Sequence, residues 1–256
     1  TFNGVHTIIH LSGVAHSNLK NYSNDFEQLN NINAVSISRF AEQAARNGIK
    51  RFVFISSIGV NGNSTSIPFS ESACPNPIDS YAVSKLNAEK LLLQIGKSTG
   101  MEIVIIRPPM VYGLGAPGNF SNVIKLIHSN IPLPLGSITN LKSFIGINNL
   151  IDFIILCAKS PLAANELFLI SDDHDISTPE FFKVVGEAIG KKIILFNAPT
   201  YLLRFISKLL KKESFFIKLT GNLQISPSKA SVLLGWSPKY TINEELLNMR
   251  DYNVTK

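Results

Sequence analysis

The segment Arg51-Phe-Val-Phe-Ile-Ser-Ser57 decides how the rest of the chain is interpreted. Its four consecutive apolar residues predict a strand buried on both faces, which is typical of a parallel sheet. Similar apolar runs occur at residues 5–11 and 102–107, and helix-like segments lie between the runs, at 25–47 and 80–95. This alternation predicts an α/β fold, a Rossmann-like doubly wound parallel sheet with helices on both faces.

The pattern loosens after residue 107. Helices are predicted at 119–129 and 148–158, a strand at 167–171, and a further helix that opens at Thr178-Pro179-Glu180. The last third of the chain reads as mostly helical.

Two parts of unequal size follow from this reading. We expect residues 1–110, together with roughly 140–171, to form the sheet domain. Residues 111–139 and 172–256 are expected to form a smaller, mostly helical lobe.

Composition excludes several classes of protein. The 256 residues are 45% hydrophobic and 16% charged, which is typical of a globular chain. No apolar run reaches the ~18 residues of a membrane span, and the N-terminus lacks the order of a signal peptide. Cys74 and Cys157 have no metal-binding spacing. We therefore expect a cytoplasmic protein without a metal site or an integral membrane segment.

The net charge of +6 is unevenly distributed, with much of the excess at Lys191-Lys192 and between Lys208 and Lys218. We interpret it as a solvated helix face or as attraction to an anionic, phosphate-bearing ligand. Nucleic acid is not expected as a partner, because no binding motif accompanies the charge. A surface that touches a membrane at residues 205–216 is a less favoured alternative.

The segment Tyr81-Ala-Val-Ser-Lys85 is a candidate catalytic motif, because it places a phenol and an ammonium group four residues apart on one helix face. A cation beside the phenol favours the phenolate, so we expect the pKa of Tyr81 to fall below its usual value of about 10. Ser57 ends the buried strand and could hydrogen-bond the reacting oxygen. Ser57, Tyr81 and Lys85 are therefore the predicted catalytic residues for interconverting an alcohol and a ketone. The alternative is a surface Tyr–Lys pair on an amphipathic helix.

A dinucleotide-binding sheet normally begins with a strand, a Gly-rich turn and a helix N-terminus, and no such turn precedes Val5. Gly113-Leu-Gly115-Ala-Pro-Gly118 has the spacing of that turn. However, it follows Pro108-Pro109, and no acidic residue lies about 20 positions further on. We interpret it as a loop on the substrate side.

With these residues in view, the chain resembles an extended short-chain dehydrogenase/reductase of the NAD-dependent epimerase/dehydratase family. The motifs that carry the resemblance are His10-Leu-Ser-Gly13, Asn33, Phe54-Ile-Ser-Ser57-Ile-Gly-Val-Asn-Gly62, Tyr81-x-x-x-Lys85, Arg107-Pro-Pro-Met-Val-Tyr-Gly113 and Leu234-Gly-Trp-Ser-Pro238. Within the family, the chain is most similar to bacterial nucleotide-sugar enzymes of O-antigen and capsule synthesis.

The resemblance implies NAD or NADP as cofactor and a nucleotide sugar as substrate, bound by the smaller lobe. The cofactor-binding residues it implies are Leu11, Ser12, Gly13, Asn33, Ser56, Tyr81, Lys85 and Pro108. The substrate-binding residues it implies are Ser57, Met110, Asn119, Leu133, Leu135 and Lys142. No metal is implied, and a homodimer is left open.

The reaction implied by the resemblance is oxidoreduction at C4 of a UDP-hexose. Met110 stands where galactose-type epimerases carry Asn, which favours a 4-reductase of a UDP-4-keto-6-deoxy-N-acetylhexosamine. A UDP-glucose or UDP-N-acetylglucosamine 4-epimerase is the alternative. The family's first three strands and Gly-rich loop are absent from the 256 residues. The sequence therefore also allows a truncated, inactive remnant that binds a nucleotide sugar or a partner protein.

Overall fold

The computed structural model describes residues 2–14, 25–116, 118–210 and 213–249. The strands are β1 (Thr7–His10), β2 (Arg51–Ile55), β3 (Glu102–Arg107), β4 (Met110–Tyr112), β5 (Phe144–Gly146) and β6 (Leu167–Leu169). The helices are α1 (Asp25–Asn30), α2 (Ser36–Arg46), α3 (Ser80–Thr99), α4 (Asn119–His128), α5 (Ile147–Lys159), α6 (Thr178–Ala188), α7 (Thr200–Leu209), α8 (Glu213–Thr220), α9 (Ser228–Leu234) and α10 (Ile242–Leu246). A π-helical turn (Asn31–Val35) joins α1 to α2, and 3₁₀ turns lie at Ile58–Val60, Pro161–Ala163 and Leu247–Met249.

Four strands form the main sheet in the order β1-β2-β3-β6, and all neighbours run parallel. Side chains alternate along β2, so that Phe52 and Phe54 pack in the cluster that α2 and α3 contribute to, while Val53 packs in the cluster of α5. The sheet is therefore covered by helices on both faces, as the sequence predicts.

The helix predicted over 25–47 differs from the observed structure, because the π-helical turn interrupts it at Asn31–Val35. Such a turn accommodates one extra residue and often marks a functional site. The pairing of β4 with β5 was also not predicted. Both strands are three residues long, which is too short for a period-2 pattern to stand out.

A second core lies in the C-terminal half of the chain and is rich in aromatic rings. The rings of Phe144 and Phe181 stack with centroids 4.0 Å apart, and Tyr112 meets Phe181 edge-on at 5.7 Å. The division of the chain into two domains at the boundaries given above stays a prediction.

Two carboxylates, the buried Glu245 and the half-buried Asp172, join this core to the N-terminus of α5. Glu245 accepts hydrogen bonds from the backbone N–H groups of Asn148 and Asn149, at 2.9 and 3.1 Å. Asp172 accepts from the Gly146 N–H at 3.0 Å and from the Tyr112 hydroxyl at 2.7 Å. Free N–H groups and the helix dipole favour negative charge at this end of a helix.

A buried ion pair joins α3 to the end of β3. Arg107 donates to both carboxylate oxygens of Glu89, at 2.9 and 2.5 Å, and a third N–H reaches the Asn61 side chain at 3.0 Å. The Ser56 hydroxyl donates to Glu89 at 2.5 Å. Both charged side chains are nearly inaccessible to solvent, so their charges are balanced by each other and by these hydrogen bonds.

No helix in the described part of the chain is long and apolar enough to cross a bilayer.

Removing one member of the buried pair should be far more damaging than removing both. We expect Arg107→Met to lower the free energy of unfolding by about 3–5 kcal/mol, because it leaves the Glu89 charge unpaired. The double variant Glu89→Leu/Arg107→Met should lose less than Arg107→Met alone. Urea unfolding of the single and double variants measures the difference.

The matched control is Arg46→Met, which removes an exposed ion pair with Glu42 and should change stability by less than about 0.5 kcal/mol. The loss of stability in the double variant is compared with the losses in Glu89→Leu and Arg107→Met added together. A loss at least as large as that sum would contradict a buried ion pair between the two side chains.

Candidate active site

Ser57 lies directly after β2, in extended backbone, where it caps the 3₁₀ turn Ile58–Val60. Its hydroxyl oxygen accepts a hydrogen bond from the Gly59 N–H at 3.1 Å. A Cβ built on Gly59 would lie 3.4 Å from both this hydroxyl and the Ala82 side chain. The hydroxyl of Ser57 is therefore placed beside the first turn of α3, where Tyr81 is found.

Tyr81 and Lys85 share one face of α3, with the Lys85 ammonium 5.9 Å from the centroid of the phenol ring. The ammonium donates to the Ile55 carbonyl at 2.9 Å and lies 4.6 Å from the ring centroid of Phe54. Asp79 begins the helix by accepting from the Ala82 N–H at 2.9 Å. The sequence prediction that the two side chains face the same way is confirmed.

The expectation that Lys85 lowers the pKa of Tyr81 is wrong for this structure. Burial raises the pKa of Tyr81 to about 12, and the nearby Asp79 charge adds to the increase. Burial also lowers the pKa of Lys85 to about 8, against the opposing charge of Glu89. The cation lies over the phenol ring, and the cost of burying a phenolate outweighs its attraction.

The loop after β1 closes over Lys85. A Cβ on Gly13 would come within 3.0 Å of the Lys85 ammonium, so a larger residue would crowd it. Asn33, at the centre of the π-helical turn, binds the backbone of Val14, the residue after Gly13, through two hydrogen bonds. Its side-chain oxygen accepts from the Val14 N–H at 2.9 Å, and its amide donates to the Val14 carbonyl at 2.8 Å. The amide also donates to the Ser84 hydroxyl at 3.0 Å.

Two of the residues implied as cofactor contacts have their polar groups turned toward the protein. The hydroxyl of Ser56 points to Glu89, because alternate residues of an extended chain face opposite ways and Ser57 takes the other side. The amide of Asn33 is fully buried and bonded to Val14 and Ser84. The hydroxyl of Ser56 therefore holds α3, and the amide of Asn33 holds the loop after β1. Contact of these two residues with a cofactor stays a prediction.

The other implied cofactor residues lie at the ends of β1 and β3. Leu11 is exposed, and the Ser12 hydroxyl lies 3.0 Å from the Nε2 atom of His10. Pro108 is buried, and its carbonyl accepts from the Ile58 N–H at 2.9 Å. These residues and Ser57 follow parallel strands, so they meet at the carboxyl edge of the sheet, where ligands of such folds bind.

The implied substrate residues are placed less uniformly. Asn119 is exposed at the start of α4, and Met110 is half-buried in β4. Leu133 and Leu135 are buried in the C-terminal core, so the structure gives them a packing role. The ammonium of Lys142 donates to the Lys218 carbonyl, and burial lowers its pKa to about 8. Substrate contact at these positions stays a prediction.

Sequence reasoning did not single out Glu89, which lies one helical turn beyond Lys85. Its position at i+4 from Lys85 and i+8 from Tyr81 puts all three on one helix stripe, and this spacing was the available signal. The carboxylate connects the stripe to Arg107 and Ser56.

The residues at this edge suit the nicotinamide–ribose end of a dinucleotide. The Lys85 ammonium makes one hydrogen bond to the described part of the chain, so further N–H groups can donate to ribose hydroxyls. Gly13 keeps the backbone close to that ammonium. A Gly-rich turn for the pyrophosphate does not occur ahead of β1 in the 256 residues.

Known proteins share both this sequence and this fold. The family model for the NAD dependent epimerase/dehydratase family matches residues 1–170. A UDP-glucose 4-epimerase of Vibrio cholerae is 39% identical over 240 residues, which are 93% of this chain and 73% of that protein. The N-acetyl-alpha-D-glucosaminyl-diphospho-ditrans,octacis-undecaprenol 4-epimerase of Escherichia coli O157:H7 is 30% identical over 60% of this chain and 47% of its own length.

The fold is shared with the UDP-glucuronic acid 4-epimerase of Bacillus cereus, whose crystal structure is a complex with NAD. It aligns with a TM-score of 0.77 over 98% of this chain and 75% of its own, at 22% identity. This chain belongs to the NAD-dependent epimerase/dehydratase family, as its motifs predict.

Burial of Lys85 implies a test on stability that needs no substrate. We expect Lys85→Met to raise the free energy of unfolding at pH 7 by about 1–2 kcal/mol, because it removes a desolvated ammonium. Between pH 8 and 10.5 the unfolded chain binds more protons at this lysine than the folded chain, so stability of the parent should rise with pH there. The variant should lose the Lys85 share of that rise and keep the share of Lys142, whose pKa burial also lowers to about 8, so the slope of stability against pH should be shallower than in the parent. Urea unfolding across this pH range measures both effects.

The control is Lys97→Met, an exposed lysine in the last turn of the same helix, which should leave stability within about 0.5 kcal/mol. Destabilisation of Lys85→Met at pH 7 would show that the ammonium carries no such cost.

Proposed function

We propose that this chain catalyses NAD-dependent epimerisation at C4 of a UDP-hexose, in the supply of precursors for a bacterial surface polysaccharide. The observation that supports the proposal is the pairing of Tyr81 with Lys85 on α3, beside the carboxyl end of β2 that Ser57 follows. We favour the epimerase hypothesis over the reductase hypothesis because the Vibrio cholerae relative is a UDP-glucose 4-epimerase and matches nearly the whole chain.

In the proposed reaction, Ser57 donates a hydrogen bond to the C4 oxygen and fixes its position against Tyr81. As its phenolate, Tyr81 takes the proton of the C4 hydroxyl while the ketone forms, and the resulting phenol returns that proton to the C4 oxygen after the keto sugar has turned its other face to the hydride donor. When bound, NAD supplies the hydride acceptor and donor. Lys85 holds positive charge close to the phenol and offers N–H groups to ribose hydroxyls.

The raised pKa of Tyr81 determines which of the two proton transfers needs further stabilisation. At neutral pH the phenol is protonated, so it is ready to protonate a C4 ketone oxygen. Removing a proton from an alcohol requires extra stabilisation of the phenolate, and positive charge next to the ring is the group that provides it. Lys85 is therefore proposed to act in its ammonium form.

A 4-reductase is the second candidate, and two observations favour it. Met110, in β4, is an apolar residue at a position where the resemblance places a sugar-contacting Asn in galactose-type epimerases. A phenol that holds its proton at neutral pH also suits a reaction that consumes a proton and a hydride at one ketone. Reduction and epimerisation share the same three catalytic side chains.

Substituting Tyr81 tests the proposed chemistry. Tyr81→Phe should reduce turnover of UDP-glucose about 10²–10⁴-fold, because it removes the proton-transfer group and keeps the ring. The assay follows conversion of UDP-glucose to UDP-galactose with NAD, using the chain with any residues that its gene encodes ahead of Thr1. Tyr201→Phe, an exposed tyrosine on α7, is the control and should turn over like the parent. Equal rates for Tyr81→Phe and the parent would refute the mechanism.

Absorbance at the nicotinamide band separates the two candidates. An epimerase returns the hydride to the sugar, so reduced cofactor should show no net change during turnover. A reductase offered a UDP-4-keto sugar should consume one reduced cofactor for each product molecule. Net consumption on a 4-keto sugar, without epimerisation of UDP-glucose, would replace the first candidate with the second.

A further inference from the structure

Helix α7 exposes most of its apolar side chains, which is unusual for a helix at a protein surface. Such helices normally bury an apolar stripe and expose polar residues. Of the ten residues of α7, all described, Ser207 is the one that is buried. Tyr201, Phe205 and Leu209 are 76%, 65% and 74% exposed.

The exposed apolar residues form one continuous face. At 100° per residue, the side chains at 201, 202, 205, 206 and 209 cover an arc of about 140°. Leu203 and Ser207 point to the opposite side, toward a cavity of about 220 Å³, open to solvent, between α7, α8 and residues 134–138. This cavity is lined by Leu135, Ile138, Leu203, Ile206, Leu210 and Phe216, among others. One side of α7 therefore lines this cavity, and the opposite side is apolar and exposed to solvent.

Positive charge borders the same face. Arg204 and Lys208 lie at one edge of the arc, 3.6 and 3.7 Å from Glu213 of α8. Lys218 lies on α8, and Lys211-Lys212 connects the two helices in the sequence, outside the described residues. Residues 200–220 contain five lysine or arginine side chains and one acidic side chain. They carry +4 of the chain's net charge of +6.

We propose that helices α7 and α8 dock on an anionic membrane surface, with the apolar face of α7 lying in the headgroup region. A helix with bulky apolar residues on one face and basic residues beside it has the composition of interfacial helices. The rings of Tyr201 and Phe205 and the side chain of Leu209 would leave water. Arg204, Lys208 and Lys218 would contact lipid phosphates.

Charge also decides between this occupant and a second copy of the chain. Two copies that met through α7 would bring two segments of +4 together, and like charges across an interface oppose association. An anionic bilayer instead offers the opposite charge to both lysine-bearing helices. The inference is independent of the proposed reaction, since it uses no residue of the candidate active site.

The test is co-sedimentation of the 256-residue chain with vesicles of equal parts phosphatidylglycerol and phosphatidylcholine. We expect binding to these vesicles, and weak binding to vesicles of phosphatidylcholine alone. Raising the salt from about 0.1 M to about 1 M should weaken the interaction, because it screens the lysines. Phe205→Glu and Leu209→Glu should each lower the partition coefficient about tenfold or more, the effect of losing one buried apolar side chain.

Matched controls lie elsewhere on the same chain. Val232→Glu places the same charge at an apolar side chain that is 88% exposed on α9, and should bind like the parent. Lys208→Gln should weaken binding several-fold, whereas Lys97→Gln, exposed on α3, should not. Circular dichroism and urea unfolding confirm that each variant is folded.

Three results would overturn the proposal. One is the absence of binding to the anionic vesicles. Another is equal loss of binding in Val232→Glu and Phe205→Glu, which would mean that the attraction is not specific to α7. The third is a self-associated parent that becomes monomeric in Phe205→Glu by light scattering and does not bind vesicles. That result would assign the apolar face to a second copy of the chain.

Discussion

The buried ion pair between Glu89 and Arg107 is the constraint on which the site depends. It fixes α3 to the end of β3, and through the Ser56 hydroxyl it also fixes the end of β2. Ser57 is the next residue after this anchor, and Lys85 lies one helical turn before Glu89. The relative placement of the serine hydroxyl and the phenol–amine pair therefore follows from where one carboxylate is held.

The same carboxylate acts on the charge of the site. Burial alone would favour the neutral amine of Lys85, and the negative charge of Glu89 opposes this effect. Arg107 in turn neutralises Glu89 at short distance. The outcome is an ammonium that is desolvated yet still protonated near neutral pH, held against a phenol that keeps its proton. Such a site stores proton-transfer groups at some cost in stability, as active sites commonly do.

Long apolar runs made the sheet and its helices predictable from sequence. Residues 51–54 and 103–107 are buried on both faces, so their composition alone identifies parallel strands. Tyr81 and Lys85 were found because helical spacing is encoded locally. Asn33 and Ser56 were assigned to the right neighbourhood, but the partners of their side chains lie 19 to 51 residues away, at Val14, Ser84 and Glu89. Long-range pairings of this kind leave no local pattern, and neither does the burial that raises the pKa of Tyr81.

The C-terminal lobe shows the same separation between local and long-range information. Its helices are predictable, whereas the contacts of Glu245 with Asn148 and Asn149 span almost 100 residues. These contacts place a carboxylate from α10 against the N-terminus of α5, so the end of the described chain is fastened to α5 by charge and backbone N–H groups. Among the described residues, α7 has no buried carboxylate contact of that kind. One side of α7 lines an open cavity, its apolar side is exposed, and Arg204 and Lys208 are paired to Glu213. Helix α7 buries little apolar surface within the fold. Its exposed apolar residues are therefore better explained by contact with a surface outside the protein than by packing inside it.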